Sequence, residues 1–343
     1  MVDTQTRVQG ATRAGAPALQ ERGRRPGRLR SLGEVGALVL LVAVFWVLNP
    51  GSFATLANLR TILDQAALPL VVGVGATLVI LMGSIDLSVE GVMGAAGMTF
   101  VLLSANSRGT ADLGPWAFVA ALAVGAVLGL LSGLVLTRLR VPSFIATLGM
   151  WYVGLGIATL LFGRASIPFL ADEALVAWPT RTLLGLPHSF WLAALVVLLG
   201  AAVARYTRLG RSAYAIGDNE QVARDNGVPV LRYKVLVFTA AGVCSALGGV
   251  LASVTLGAGS ATVGIGTLFL TIAAVVIGGT SLGGGRGGVL RTALGVLLLV
   301  VLNNGLILSG VSASIQSGVS GAVLVLAIVA AAWPHRSRLR VVK

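Results

Sequence analysis

Residues 116–137 read WAFVAALAVGAVLGLLSGLVLT. No charged side chain interrupts this run, and it is long enough for the roughly 20 residues that a helix needs to cross a bilayer core of about 30 Å. A helix there satisfies its own backbone N–H and C=O groups, as lipid requires. Gly125, Gly129 and Gly133 recur at spacing four, giving one smooth face on which a neighbouring backbone can approach closely. The rest of the chain shares this character. Hydrophobic residues make up 56% and charged residues 11%, with a mean hydropathy of +0.92. A water-soluble fold cannot hide that much apolar surface. The 46 glycines fit the same picture, because close backbone approach drives helix association where lipid removes the hydrophobic force between helices. Cys244 is the single cysteine, which excludes a disulfide framework and a cysteine-based metal site.

Working outward from this segment, apolar runs lie at 34–49, 66–82, 88–105, 143–163, 190–205, 233–256, 267–281, 288–309 and 313–333. Together they predict an all-α, polytopic membrane helical bundle of about ten transmembrane helices with both termini cytoplasmic. The runs 190–205 and 267–281 are short, so each is either a full crossing or a re-entrant, broken helix. The formal net charge of +13 suits either a nucleic-acid binder or a topology signal. The distribution decides for topology: of the 25 Lys and Arg residues, all but Arg60, Arg108, Arg164 and Arg181 fall on one predicted side. Residues 1–30 read as a disordered basic cytoplasmic tail and 337–343 as a second basic tail. Between them, 31–336 form the membrane domain, including a cytoplasmic segment at 206–232. A cleaved signal peptide is disfavoured, because the basic region is long and the first apolar run leads straight into further spans.

Four segments stand out from the apolar background. MGSIDLSVE (82–90) places two carboxylates in near-membrane sequence. Asp86 suits an N-cap of the following helix. The alternative is a polar break lining an aqueous path, with Asp86, Ser88 and Glu90 facing one space. IGGTSLGGGRGG (277–288) holds a formal dinucleotide fingerprint at Gly283, Gly285 and Gly288, but it follows a membrane run and no acidic residue lies about 20 positions on. It reads as an irregular cytoplasmic connection. No stretch matches G-x-x-x-x-G-K-[ST], so any ATP hydrolysis belongs to another chain.

The third segment, GRSAYAIGDNEQVARDNGVPVLRYK (210–234), predicts one short cytoplasmic helix over Asn219–Asn226. Asp218 and Gln221 form its capping box, Glu220 suits its positive end, and Gly227 followed by Pro229 stops it. So short a helix must lean on its own bundle or on a partner, and both readings stand. Val222 and Ala223 offer an apolar spot ringed by Glu220, Arg224 and Asp225. The fourth segment is the long outer connection 164–189, where Arg164 and Arg181 are either contacts for an acidic protein partner or solvated charges. His188 reads as a solvated surface residue rather than a metal ligand.

Taken together, MGSIDLSVEGVMG (82–94), VPSFIATLGM (141–150), GRSAYAIGDNEQVARDNGV (210–228), IAAVVIGGTSLGGGRGG (272–288) and VLNNGLILSGV (301–311) carry a resemblance. Over roughly residues 55–330 the chain resembles the ribose/xylose-type permeases of bacterial ABC importers. The resemblance implies a multi-pass protein of the bacterial plasma (inner) membrane that imports a monosaccharide, or a related small hydrophilic solute, by alternating access. It also implies a second permease copy, an ABC ATPase subunit and a periplasmic or lipid-anchored solute-binding protein as partners. ATP and Mg would be hydrolysed by the ATPase, with no cofactor, metal or catalytic residue on this chain. Asp218, Asn219, Glu220, Ala223, Arg224 and Gly227 would form the ATPase-coupling helix. Asn303 and Asn304, with Asp86, Ser88 and Glu90, are the polar candidates for the translocation path. The sequence departs from the family pattern at Glu90 and Ser84, where glycine is usual. A nucleoside-type ABC permease, an ion-coupled secondary transporter and an intramembrane enzyme are the rival readings, the last lacking any acid-base or nucleophile set.

Overall fold

In the computed structural model, which describes residues 27–164 and 166–332, each of the ten apolar runs carries a helix. The first half holds α1 (Gly27–Leu48), α2 (Leu56–Leu81), α3 (Val89–Leu103), α4 (Pro115–Arg138) and α5 (Ser143–Phe162). A short α6 (Glu173–Ala177) and a hairpin of β1 (Thr182–Leu183) and β2 (Leu186–Pro187) follow. Then come α7 (His188–Tyr206), α8 (Arg208–Asp218), α9 (Glu220–Asp225), α10 (Val230–Leu256), α11 (Thr267–Ile277), α12 (Val289–Leu308) and α13 (Ala313–Ala332). The all-helical expectation therefore has one small exception, the β1–β2 hairpin in the outer connection. Helix α1 begins inside the stretch read as a disordered tail. The rest of that tail and 337–343 lie outside the described residues.

Among the described residues, α2, α4, α5, α7, α10 and α12 are long and apolar enough to cross a membrane. The run at 190–205, short in sequence, is extended by His188, Ser189 and Tyr206 into a helix of spanning length. The run at 267–281 yields only the 11-residue α11, too short for an untilted crossing.

Helices α2 and α10 form the centre. α10 packs on α2, α3 and α4, while α2 also touches α7, α11 and α12. Val71, Val74, Leu78 and Val79 of α2 meet Val237, Phe238 and Ala241 of α10 and Val296, Leu299 and Val300 of α12 in one buried cluster. The glycine row of α4 lies against α10. A Cβ on Gly125 would sit 2.4 Å from the Gly242 carbonyl oxygen, and one on Gly129 would sit 2.3 Å from that of Phe238. The glycines of α3 do not share one partner: Gly91 abuts Trp151 of α5, Gly94 abuts Ala261, and Gly97 abuts Gly249 of α10. Spacing of three drifts around a 3.6-residue turn, so each glycine meets a different neighbour.

At one end of the bundle lie α8, α9 and the glycine-rich connection 278–288, where Gly285 N–H donates to the Leu81 carbonyl (2.9 Å). At the other end the long connection 163–187 is tied down. Leu170 N–H donates to Gly257 and Gly259 N–H to Pro168, both at 2.9 Å, and Arg60 Nε donates to the Gly185 carbonyl at 2.8 Å.

Candidate functional site

Three parts of the molecule carry polar groups in a pattern that packing alone does not require. The first is the α8–α9 end. Sequence reasoning expected a single helix from Asn219, but residues 208–218 form a helix of their own. Gly210, Ala213 and Ile216 fall at spacing three and turn one face inward, and the Thr207 hydroxyl caps the start by accepting from Gly210 N–H (3.2 Å). Asp218 is thus the last residue of α8 rather than the cap of the next helix. Asn219, in extended conformation, takes that role, and its Oδ1 accepts from Val222 N–H at 3.1 Å. No capping box forms, because the Gln221 amide donates instead to Asp225, one turn on (2.9 Å). The predicted stop holds: Gly227 adopts a left-handed φ of 79°, Val228 N–H returns to the Ala223 carbonyl (3.0 Å), and Pro229 follows.

Within α9 the apolar spot divides. Ala223 is buried (5% exposed) against its own chain, whereas Val222 is 53% exposed. Glu220 binds Arg224 at 2.9 Å and Lys234, at the start of α10, at 2.7 Å, so α9 is fastened to the spanning helix that follows it. Asp218, Asn219, Arg224 and Gly227 are exposed. Behind α9, α8 is wedged into the bundle. A Cβ on Gly217 would lie 1.9 Å from the Leu81 carbonyl oxygen and 2.5 Å from Gly285 N. The Tyr214 hydroxyl donates to the Gly287 carbonyl (3.0 Å). Burial raises this phenol above its ordinary range, with the Arg291 charge opposing, so it stays protonated and able to donate.

The second part is the break between α2 and α3. Here Asp86 is not the N-cap; Ser88 holds that position. Asp86 Oδ1 accepts from Ser88 N–H (2.8 Å) and Ser88 Oγ–H (2.6 Å), closing a turn before the helix begins. The exposed amides of this extended stretch are met by α5: Ile85 N–H donates to Ser143 Oγ (3.1 Å) and Leu87 N–H to Thr147 Oγ1 (2.9 Å). Glu90 does not share the space of Asp86. Its carboxylate accepts from Gly266 N–H (3.0 Å) and Leu268 N–H (3.1 Å) at the start of α11. On α12, the buried Asn304 donates to Asn58 Oδ1 of α2 at 2.9 Å, and the neighbouring Asn303 is half-buried.

The third part lies at the opposite end. Arg164 and Arg181 are exposed on the outer connection. His188 is half-buried rather than solvated, its ring 5.6 Å from that of Trp178. Between α2, α7 and α10 opens a cavity of about 520 Å³, whose lining includes the polar residues Asp64, Gln65, Ser189, Thr255 and Thr262. Sequence reasoning missed it. The second apolar run had been bounded at residue 66, whereas Thr55 caps α2 by accepting from Asn58 N–H and carries Asp64 and Gln65 into the helix. The available signal was the Thr55 cap, with an apolar Ile62 and Leu63 preceding the two polar residues. Among the described residues, no group of three or more His, Cys, Asp or Glu side chains is placed to hold a metal ion.

A family model described as the permease component of a branched-chain amino acid transport system matches residues 58–328. The chain belongs to this permease family. Relatives agree over most of their length. The ribose import permease protein of Escherichia coli (strain K12) is 37% identical over 300 residues, 85% of this chain and 91% of the relative. That of Bacillus subtilis (strain 168) is 36% identical over 308 residues, covering 88% and 93%. The D-allose transport system permease protein of Escherichia coli (strain K12) is 31% identical over 298 residues, covering 86% and 90%. The permease is therefore a multi-pass membrane transport component, and its matched region contains α9, both carboxylate contacts of the α2–α3 break and the cavity beside Asp64.

Proposed function

We propose that this chain is the membrane-spanning permease subunit of an ATP-driven importer that carries a monosaccharide, ribose-like or related, across the bacterial inner membrane. The solute class rests on the relatives, which are named for ribose and D-allose import. Ten membrane helices with both termini cytoplasmic are supported by helices on ten apolar runs and by the one-sided distribution of Lys and Arg, the 11-residue α11 crossing as a tilted or broken element. The α8–α9 end is then cytoplasmic, and the cavity beside Asp64 faces outward.

The observation that carries the coupling mechanism is α9: a short helix that holds its own position through Ala223 and the Glu220–Lys234 pair, yet presents Val222 and Asn219 outward. It is seated in the ATPase subunit, which binds and hydrolyses ATP with Mg; this chain holds neither. Closure of two ATPase domains moves α9, and α9 moves α8. Because α8 abuts the α2 C-terminus and the 278–288 turn at Gly217, the displacement passes into the centre of the bundle. Two permease copies rock about a shared path, and a periplasmic or lipid-anchored binding protein delivers solute to the outer face near Arg164 and Arg181.

Asp86, Ser88, Glu90 and Asn304 serve this path by holding its non-helical walls and helix pairs in place through internal hydrogen bonds. Asn303 stays a candidate for solute contact. The test is reconstitution of the chain in proteoliposomes with and without its ATPase and binding protein, followed by uptake of D-ribose, D-xylose and D-allose. ATP-dependent uptake only with both partners is expected. Accumulation driven by an ion gradient without the ATPase would overturn the reading.

A further inference from the structure

Two cavities of the permease differ in kind. One, of about 570 Å³, is walled mainly by apolar side chains such as Phe100, Phe118, Leu175, Trp178 and Leu192, and its two carboxylates, Asp112 and Asp172, accept from nearby backbone N–H groups. The other, of about 520 Å³, brings Asp64 and Gln65 of α2 together with Ser189 of α7, Thr255 of α10, and Ser260 and Thr262 of the extended 257–266 connection. Asp64 lies two turns inside a helix long and apolar enough to span the membrane, about 12 Å from its first residue. A carboxylate at that depth avoids lipid and faces water, a partner or a ligand.

Its bonding leaves room for a ligand. Asp64 Oδ1 accepts from the Ser189 hydroxyl, and among the described residues no cation pairs with Asp64. Arg60, one turn earlier, instead donates its Nε to the Gly185 carbonyl. Gln65 is exposed to the cavity although the helix around it is largely buried. Pro69, one turn on, has no N–H to return to the Gln65 carbonyl, which frees a backbone acceptor at the same level. Thr255 donates its hydroxyl proton to the Leu251 carbonyl (2.9 Å), leaving its oxygen able to accept. One carboxylate among several neutral donors and acceptors suits hydroxyl groups better than a metal ion or an ammonium. The apolar part of the lining, Leu68, Leu251, Leu256 and Val263, suits the C–H face of a ring.

We infer that this cavity admits the solute on the outer side, with the Asp64 carboxylate accepting from adjacent hydroxyls of a neutral polyol and Gln65 bridging to a further one. The inference rests on the importer reading above and adds to it a specificity-determining pair. Ser189 is then the positioning residue that fixes the carboxylate rotamer.

Two measurements on the reconstituted complex with ATPase and binding protein test it. With D-ribose as probe, Asp64→Asn keeps an acceptor for Ser189 but loses the charge, and uptake is expected to fall about tenfold while ATP hydrolysis stays within about twofold. Ser189→Ala, which spares the carboxylate but frees its rotamer, is expected to lower uptake only about threefold, with Ser189→Thr, which keeps the hydroxyl, restoring it. Asp64→Asn uptake equal to wild type, or an equal loss in Ser189→Ala, would overturn the inference. In the second measurement, Gln65→Cys is placed in a Cys244→Ala background and treated from outside with a membrane-impermeant thiosulfonate. Rapid modification that blocks uptake is expected, against none for Leu198→Cys on the exposed apolar face of α7. An unreactive Gln65→Cys overturns the inference. If the wild-type complex takes up none of D-ribose, D-xylose and D-allose on addition of ATP, the sugar-importer reading itself fails, a result distinct from either variant outcome.

Discussion

The Glu90 carboxylate oxygen lies 3.0 Å from the backbone nitrogen of Gly266, a residue 176 positions away in the chain. With the second bond to Leu268, a side chain from the first turn of α3 caps the first turn of α11. Helix α11 begins in non-helical backbone inside the bundle at Gly266, which has no side chain to supply the partners that a helix start needs. A carboxylate there satisfies two N–H groups and complements the positive end of α11.

Glu90→Ala should therefore lower the stability of the permease by about 2 kcal/mol, and Glu90→Gln by about half as much, because the amide oxygen still accepts. Thermal unfolding in detergent gives the two shifts. Equal stability of all three proteins would show that the cap is not what holds α11.

Gly217→Ala is expected to cost about 1–3 kcal/mol through overpacking, because its Cβ falls within contact distance of the Leu81 carbonyl and Gly285 N. If α8 transmits the ATPase stroke to α2 through this contact, the variant also hydrolyses ATP with reduced uptake per turnover. The ratio of solute moved to ATP split, measured in proteoliposomes, checks this. An unchanged ratio at full stability would mean that the stroke enters the bundle elsewhere.

Much of the frame was legible because it follows from local pattern. The glycines of α4 at spacing four implied a close neighbour, and α10 is that neighbour; Gly227 followed by Pro229 stopped α9 where the sequence placed its end. What escaped was non-local or masked by composition. Nothing near Glu90 announces Gly266 as its partner. Helix α8 escaped because Gly210 and Gly217 are poor helix formers, although they are small so that Ala204 and Leu81 can come close. Once α8 runs to Asp218, that residue is unavailable as a cap and the role passes to Asn219. Asp64 and Gln65 were lost at the boundary of an apolar run, since a hydropathy window trims the polar residues that line a cavity.

The Asn304–Asn58 hydrogen bond joins α12 to α2 in a buried setting, and Asn58 also donates to the Phe53 carbonyl (2.9 Å). Asn304→Leu should destabilise the permease by about 0.6–2 kcal/mol, the range expected for an interhelical polar contact in a membrane protein. Uptake per folded molecule should be retained in Asn304→Leu and lowered in Asn303→Leu. The reverse pattern would move the path contact to Asn304.

If a partner holding α9 drives the bundle, Val222→Asp, which puts a charge on the outward face of that helix, must uncouple the two. Val222 is exposed and makes no side-chain contact that fastens α9, so the isolated permease should unfold within a few degrees of wild type. The measurement is ATPase binding and ATP-driven solute uptake by the reconstituted complex. Both should fall at least about tenfold, the loss expected when a charge is buried in an apolar contact. Wild-type binding and uptake in Val222→Asp would contradict drive through α9.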